Sequence, residues 1–522
     1  MTKTMSTIFP IGFRRWLIPV SILVLSISAY FYIWIGDSAN RQDQVISTMV
    51  LGLLALLALV IWFAFSSSFQ KRFRMSILGG FIFFALLSSL AFRIRGFSGD
   101  VLPMIEWRWS NSIASSKYDL SNIFLPHADM AQARNNYAQF LGLNRNGTVQ
   151  GIHLNRDWAS MPPREIWRQP IGAGWSAFAI LGSSAITQEQ TGDEEMVVSY
   201  DVLSGKVKWR HSDKTRYDTA LTGAGPHATP TIANNRVFTL GATGTLNCLD
   251  LTTGRKIWSK NILEDNGAKI NTYGISNSPL VLDSLVIVSA GGANGNSLVA
   301  YHAKTGARVW NAGGVSHSAY SSPFLTTFSG HTQIILFNKS QITAHDPQFG
   351  HVLWKESWPK ETQAISQPVP LPGDRLFVSS GYGIGGKLFQ IRYNRDQKFE
   401  ITQIWRSPRL KAKLSNVVYK DGFLYGLDDG VFVCLDSKTG RRKWKKGRYG
   451  HGQIILVEDL ILVQSEQGDV ILLEANTEKH IELGRIAALN SKTWNHPALA
   501  APYLLVRNDK EAVCFELPIA SK

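Results

Sequence analysis

Catalytic signatures are what this chain has least of. Only three cysteines occur in 522 residues, and no Cys-x-x-Cys, His-Glu-x-x-His or Gly-x-Ser-x-Gly arrangement is present, so dithiol redox, zincin and serine-hydrolase chemistry lack their usual residue sets. Acidic residues are scarce too. The 39 Asp and Glu are outnumbered by 54 Lys and Arg, for a formal net charge of +15. Residues 1–110 hold ten of the basic residues against four acidic ones. The one dense basic run, Arg441 to Arg448, reads as a solvated strand edge, with contact to anionic headgroups or an acidic partner as the sharper alternative. GYGIGG at 381–386 leads into KLFQI and not into a helix, so it offers a pyrophosphate no helix N-terminus and reads as a wide turn.

What the chain has in abundance is one phrase: a strand ending in Asp, a Thr-Gly or Ser-Gly turn, and a return strand carrying Trp. It occurs as YDVLSGKVKW to Trp209, LDLTTGRKIW to Trp258, YHAKTGARVW to Trp310, HDPQFGHVLW to Trp354 and LDSKTGRRKW to Trp444. The Gly supplies the positive φ of a tight hairpin. A second hairpin precedes each phrase, as in TPTIANNRVFTL from Thr229, SPLVLDSLVIVS from Ser278 and NVVYKDGFLYGL from Asn416. Four strands recurring every 39 to 52 residues predict a β-propeller.

The blade count depends on the degenerate copies. The fifth keeps only Trp405, and the seventh has Leu483 where Trp is expected. Three closing strands, HPALA, YLLVRND and AVCFELP, lack a fourth, which PREIWRQP around Trp167 supplies from the other end. The reading is therefore eight blades, closed by an N-terminal strand that completes the C-terminal blade and protects its edge.

These residues resemble the pyrroloquinoline quinone (PQQ)-like eight-bladed propellers, a family that includes quinoprotein dehydrogenases and the propeller lipoprotein of outer-membrane β-barrel assembly. The resemblance covers roughly residues 135–518. It implies that Asp201, Asp250, Asp346 and Asp436, with the Gly and Trp that follow, dock blades together and hold no ligand. The adjacent-cysteine pair of many quinoprotein alcohol dehydrogenases has no counterpart here. Cys248, Cys434 and Cys514 each lie two residues before the acidic position, where other blades carry Ser199, Ala300 or Ala344, so each is expected as a buried small side chain.

The N-terminal region is a different material. Apolar runs beginning at Trp16, Val45 and Ile77 predict a transmembrane anchor over 1–95 with about three helices, at 16–35, 45–65 and 76–92. Three such runs do not fit a cleavable signal peptide. Lys3, Arg14 and Arg15 precede the first run and Lys71, Arg72 and Arg74 the third, against Arg41 alone in the first loop. That asymmetry predicts a multi-pass protein of the cytoplasmic (inner) membrane with the propeller on the periplasmic or other extracytoplasmic side. Arg93 and Arg95 oppose it. Residues 96–160 read as an extracytoplasmic linker and 161–518 as the propeller.

Ligand binding in a propeller is expected where the innermost strands begin, because those ends converge on the central channel. Aligning the openings selects Trp175, His227, Asn277, Tyr320, Gln367, Asn416, His451, Gln453, Trp494 and Asn495, none of them a carboxylate. The expected activity is a binding or scaffolding platform for a protein, peptide or small-molecule ligand, with no catalytic or metal-binding residue assigned, no cofactor assigned although PQQ and Ca²⁺ stay open, and no nucleic-acid partner. The alternative is a PQQ-dependent dehydrogenase passing electrons to membrane quinone. That reading needs PQQ, Ca²⁺ and a carboxylate base, for which Asp428 and Glu466 are within reach, with Lys339, Lys411, Lys413 or Arg507 to meet the cofactor's carboxylates.

Overall fold

The computed structural model describes residues 11–35, 40–67, 69–109, 136–292, 296–314, 316–359 and 363–520. They divide into two compact units, 1–111 and 112–522.

The first unit holds three helices, Ile11–Trp34, Arg41–Phe65 and Lys71–Ala91, each long and apolar enough to cross a membrane. They begin earlier than the apolar runs because polar first turns, Arg41-Gln42-Asp43 and Lys71-Arg72, extend them. The first two run antiparallel. At one end Trp34 Nε1 donates to Thr48 Oγ1 at 3.1 Å and Gln44 Nε2 to Ile33 O at 2.9 Å; at the other the Trp16 and Trp62 rings lie 5.5 Å apart. A hairpin of Phe92–Phe97 and Pro103–Trp107 follows the third helix directly, across the boundary between the stretches read as anchor and as linker.

The second unit is an eight-bladed propeller of antiparallel sheets. Blades one to seven occupy 179–213, 231–261, 280–312, 324–357, 369–407, 418–448 and 453–487. The eighth joins Ala498–Ala500, Tyr503–Arg507 and Glu511–Glu516 to Arg164–Pro170, with Trp167 opposite Cys514. The closure read from the incomplete last repeat is therefore present.

The repeated phrase builds the seams. Asp201 Oδ1 accepts the backbone N–H groups of Leu203 and Ser204, and Asp250 and Asp436 repeat the pattern with Thr252 and Thr253 and with Lys438 and Thr439. These bonds hold the turn so that its Gly faces the Trp of the preceding blade. A Cβ on Gly205 would lie 2.7 Å from the Trp167 ring, on Gly254 2.3 Å from Trp209 and on Gly440 2.8 Å from Trp405. Five of the indoles then donate across the seam, Trp167 to Val202 O, Trp209 to Leu251 O, Trp258 to Ala303 O, Trp405 to Ser437 O and Trp444 to Asn476 O, at 2.7–3.0 Å, whereas Trp310 Nε1 is buried without a hydrogen bond. The three thiols are buried and unpaired beneath these seams. Burial pushes Cys248 up to about 11 and Cys434 and Cys514 up to about 12, which keeps them protonated and inert.

Blade five breaks the pattern. Without the Asp and Gly of the turn, its outer strands Gly385–Tyr393 and Phe399–Ser407 extend to nine residues each. Trp354 of blade four then donates within its own blade, to Gln333 Oε1 at 2.6 Å. The seam opens into a groove lined by His331, Trp354, Tyr393 and Phe399.

From Tyr137 onward, the stretch read as linker is packed on the propeller as a strap. Tyr137 bridges Ile180 of blade one, Ala138 O accepts from Ile232 of blade two, and Thr148–Val149 adds a parallel strand to the inner edge of blade seven. Between them Arg145 is buried, donating to Ser278 O at 2.9 Å and Pro279 O at 3.0 Å of blade three. Burial depresses its basicity to about 9, so it stays charged at neutral pH. The strap thus crosses the end of the channel where the inner strands finish.

Candidate functional site

Strand direction sets what the opposite end can present. Each inner strand starts there, so the loops between blades and the turns between second and third strands gather at that mouth. Backbone hydrogen bonds from blade to blade form a collar just beneath it. Ala177 N donates to Thr229 Oγ1, Thr229 N to Ser278 Oγ, Ser278 N to Ser322 Oγ, Ser322 N to Gln367 Oε1 and Gln367 N to Asn416 Oδ1, at 2.9–3.2 Å. Small polar residues recur at the openings because each one accepts its neighbour's N–H.

The collar and the loops around it use the amides that the sequence nominated as ligand donors. Asn277 spends both ends on Ser289, Ser318 and Ala319. Gln367 clasps Ser322 O as well as accepting from its N–H. Asn416 holds Gln367, and Gln453 Nε2 donates to Leu414 O and Trp494 O. Asn495 Nδ2 donates to Gly174 O and Ser176 O, while its Oδ1 is buried without a partner. These five side chains lie in the blade seams because a buried amide must be bonded where it sits.

The aromatic nominees do come together. The Trp175 and Trp494 rings are 5.1 Å apart, and the Lys492 ammonium lies 3.9 Å from the Trp494 centroid and 5.0 Å from that of Trp175. Trp175 Nε1 donates to Thr222 O, and Trp494 Nε1 to Glu466 Oε1. Tyr320 lies 6.0 Å from Tyr273 and accepts its backbone N–H at 3.3 Å. His227 packs edge-on to Tyr217 at 5.8 Å, with Nε2 buried and unbonded, and burial lowers it to about 4. His451 is buried, its N–H donating to Glu466 Oε2 at 3.0 Å.

Sequence alignment of the openings missed part of this mouth. Tyr217 and Tyr273 come from loops between blades, and Tyr382 from a turn of blade five in the GYGIGG stretch, where it adopts φ +58°. Burial raises the Tyr320 phenol to about 12. Burial raises Tyr382 as well, reinforced by Tyr273 and Tyr320, so the phenols stay neutral donors. Lys413 stands 5.1 Å from the Tyr382 centroid. The aromatic content of those loops was the available signal.

The carboxylates named for a quinone centre, Asp428 and Glu466, are committed to protein partners. Asp428 is buried between Lys445 at 2.7 Å and Lys411 at 3.6 Å, and Lys411 also pairs with Asp429 at 3.2 Å. Burial would raise the Asp428 carboxyl, but the two ammonium groups outweigh it and hold it low. Glu466 takes the Trp494 indole and the His451 N–H. Arg507 is buried and donates to Thr187 Oγ1, Gln188 O and Gly172 O. Among the described residues, no three His, Cys, Asp or Glu side chains stand close enough to hold a metal ion.

A family model described as outer membrane protein assembly factor BamB matches residues 193–446, the blades that carry the Asp, Gly and Trp seams. Over those residues the chain is similar to the PQQ-like repeat propellers. The outer membrane protein assembly factor BamB of Shewanella oneidensis is 24% identical over 326 residues, 53% of this chain and 79% of that protein. The quinohemoprotein alcohol dehydrogenase ADH IIB of Pseudomonas putida is 26% identical over 280 residues, 48% of this chain and 39% of that one. Among solved structures, BamB from Moraxella catarrhalis overlays with a TM-score of 0.51 at 16% identity, covering 68% of this chain and 97% of its own. Quinohemoprotein alcohol dehydrogenase from Comamonas testosteroni does so at 0.52 and 11%, covering 76% and 82%. At those identities the chain shares a propeller fold with both, and fold alone assigns no chemistry.

Proposed function

We propose that this PQQ-like propeller is a membrane-anchored, extracytoplasmic binding or scaffolding platform whose open mouth takes a protein, peptide or small-molecule ligand. The observation that carries the reading is the commitment of Asp428 and Glu466, the carboxylates that a quinone centre would draw on. Asp428 is held by two lysines and Glu466 by an indole and a backbone N–H. A quinone–Ca²⁺ centre would need carboxylate oxygens for the ion and a carboxylate base beside the quinone. The donor set present does not fit that centre, so no redox step is derived through it. What the mouth does offer is aromatic surface from Trp494, Tyr273, Tyr320 and Tyr382, with Trp175 largely buried against Trp494, and neutral phenols from the three tyrosines, bordered by Lys413 and Lys492. Such surfaces suit partner recognition. The similarity to proteins named as outer membrane protein assembly factors supports a protein partner. The Lys and Arg placement supports a periplasmic or equivalent side.

The competing reading, a PQQ-dependent dehydrogenase, draws on the relatives named as alcohol dehydrogenases. Calorimetric titration of the purified chain with PQQ and Ca²⁺, followed by a dye-linked oxidation assay, separates the two. The platform reading predicts no saturable heat and no turnover. Micromolar binding with turnover would replace it by the enzyme.

A further inference from the structure

The hairpin that follows the third helix has two chemically opposite faces. Residues directly paired across the strands share a face, and Phe92 pairs with Trp107, Ile94 with Ile105, and Arg93 with Glu106. One face is therefore Phe92, Ile94, Ile105 and Trp107, with relative exposures of 43, 62, 67 and 48%. The other carries Arg93 and Arg95 around Glu106, at 3.3 and 3.9 Å. Trp109 packs 5.2 Å from Trp107 and extends the aromatic edge.

An isolated two-stranded hairpin is at best marginally stable in water, and a contiguous apolar face of this kind marks a surface that something covers. Its position says what. Both ends are tied to the last turn of the third helix, since Phe92 follows Ala91 and Arg108 donates to Ala91 O at 2.8 Å and Ser89 O at 3.2 Å. Its tip is tied to the start of the second helix, where Arg41 Nε meets Asp100 Oδ2 at 2.8 Å. The hairpin, with strands about 20 Å long, therefore lies across one end of the helix bundle and does not project from it. The sheet has two strands, so the outer edge of each has no neighbouring strand among the described residues, and backbone at such an edge is costly to bury in hydrocarbon. That excludes the hydrocarbon interior and leaves the boundary layer, where Trp and Phe are favoured.

We infer that residues 92–109 form an interfacial foot: the apolar face rests in the headgroup and upper acyl layer of the bilayer, and the arginine face turns toward water and lipid phosphates. This rests on the reading of the three helices as a membrane anchor. The foot would fix the bundle's depth and rotation at the point where the chain leaves the membrane.

The test uses the full chain in vesicles of phosphatidylethanolamine and phosphatidylglycerol. Nitroxides are placed singly by Ile94→Cys, Ile105→Cys, Arg93→Cys and, in the second helix, Leu57→Cys; the native cysteines are buried. Collisions with oxygen report lipid, and collisions with a water-soluble nickel chelate report water. Labels at 94 and 105 should favour oxygen severalfold, less strongly than 57, while 93 favours nickel. Nickel access at 94 and 105 equal to that at 93, with 57 in lipid, overturns the foot alone; so does shielding of 94 and 105 from both reagents, which would show a protein cover such as a second copy. A label at 57 that reports water overturns the anchor and the foot together. In the unmodified chain, a carbene-generating lipid probe should label the peptide spanning 92–109. Labelling confined to the helices refutes the inference.

Discussion

Replacing Gly254 by Ala tests the seams that close the propeller. Gly254 has φ +69°, and a Cβ there would lie 2.3 Å from Cε3 and 2.6 Å from Cδ2 of Trp209. Two costs add. An L-residue in the left-handed region loses about 1–2 kcal/mol, and forcing the indole aside adds about 1–3 kcal/mol of overpacking, part of it the Trp209 Nε1 bond to Leu251 O. Gly182→Ala is the matched control, because Gly182 has φ +56° and nothing within 4 Å of its Cβ. It carries the conformational cost alone. Urea denaturation of the full chain in micelles, followed by tryptophan fluorescence, should show Gly254→Ala less stable than Gly182→Ala by about 1–3 kcal/mol. Equal losses would mean that the Gly and Trp contact is incidental and that the seams are held by something else.

Three other outcomes follow from the same geometry. Burial, reinforced by Asp213 against the Ala242 N–H, raises Glu195 to about 7; its ionised form is penalised above that pH and no penalty remains below the ordinary carboxyl range, so Glu195→Gln should gain up to about 3 kcal/mol over the parent at pH 8 and nothing at pH 4, and a pH-independent difference would contradict the assignment. Deleting 164–170 removes the strand that pairs with Glu511–Glu516 and should give aggregates on size exclusion, a monodisperse product refuting the closure. Lys445→Met removes the 2.7 Å bond to buried Asp428 and should cost about 1–3 kcal/mol, whereas exposed Lys446→Met should stay within about 0.5 kcal/mol; equal losses in denaturation would show that the basic strand acts as one patch.

The architecture was legible because a repeat states its own geometry. Asp, Gly and Trp recur at seam positions, and even the orphan strand at Trp167 could be matched to the blade it completes. The strap was not, since Tyr137, Arg145 and Val149 occur once and their partners lie more than 40 residues away in blades one, three and seven. The mouth was half legible. Its aromatic members Trp175, Trp494 and Tyr320 sit at aligned positions, but Gln367 and Asn416 sit there too and serve the collar. A polar residue at an inner-strand opening reads the same whether it bonds a ligand or the next blade. Tyr217 and Tyr273 escaped because loops between blades carry no register, and Tyr382 because it lies in a turn within blade five, away from the strand openings that were aligned.

The central claim is that the mouth is the binding face. Its most direct measurement is photo-crosslinking in native membranes, with benzoylphenylalanine replacing Tyr273 or Trp494 at the mouth, or Arg441 on the basic edge, and adducts identified by mass spectrometry. Adducts at 273 and 494, with none at 441, are the predicted result. Adducts at 441 alone, with both mouth positions silent, would contradict it and make the flank of blade six the working surface.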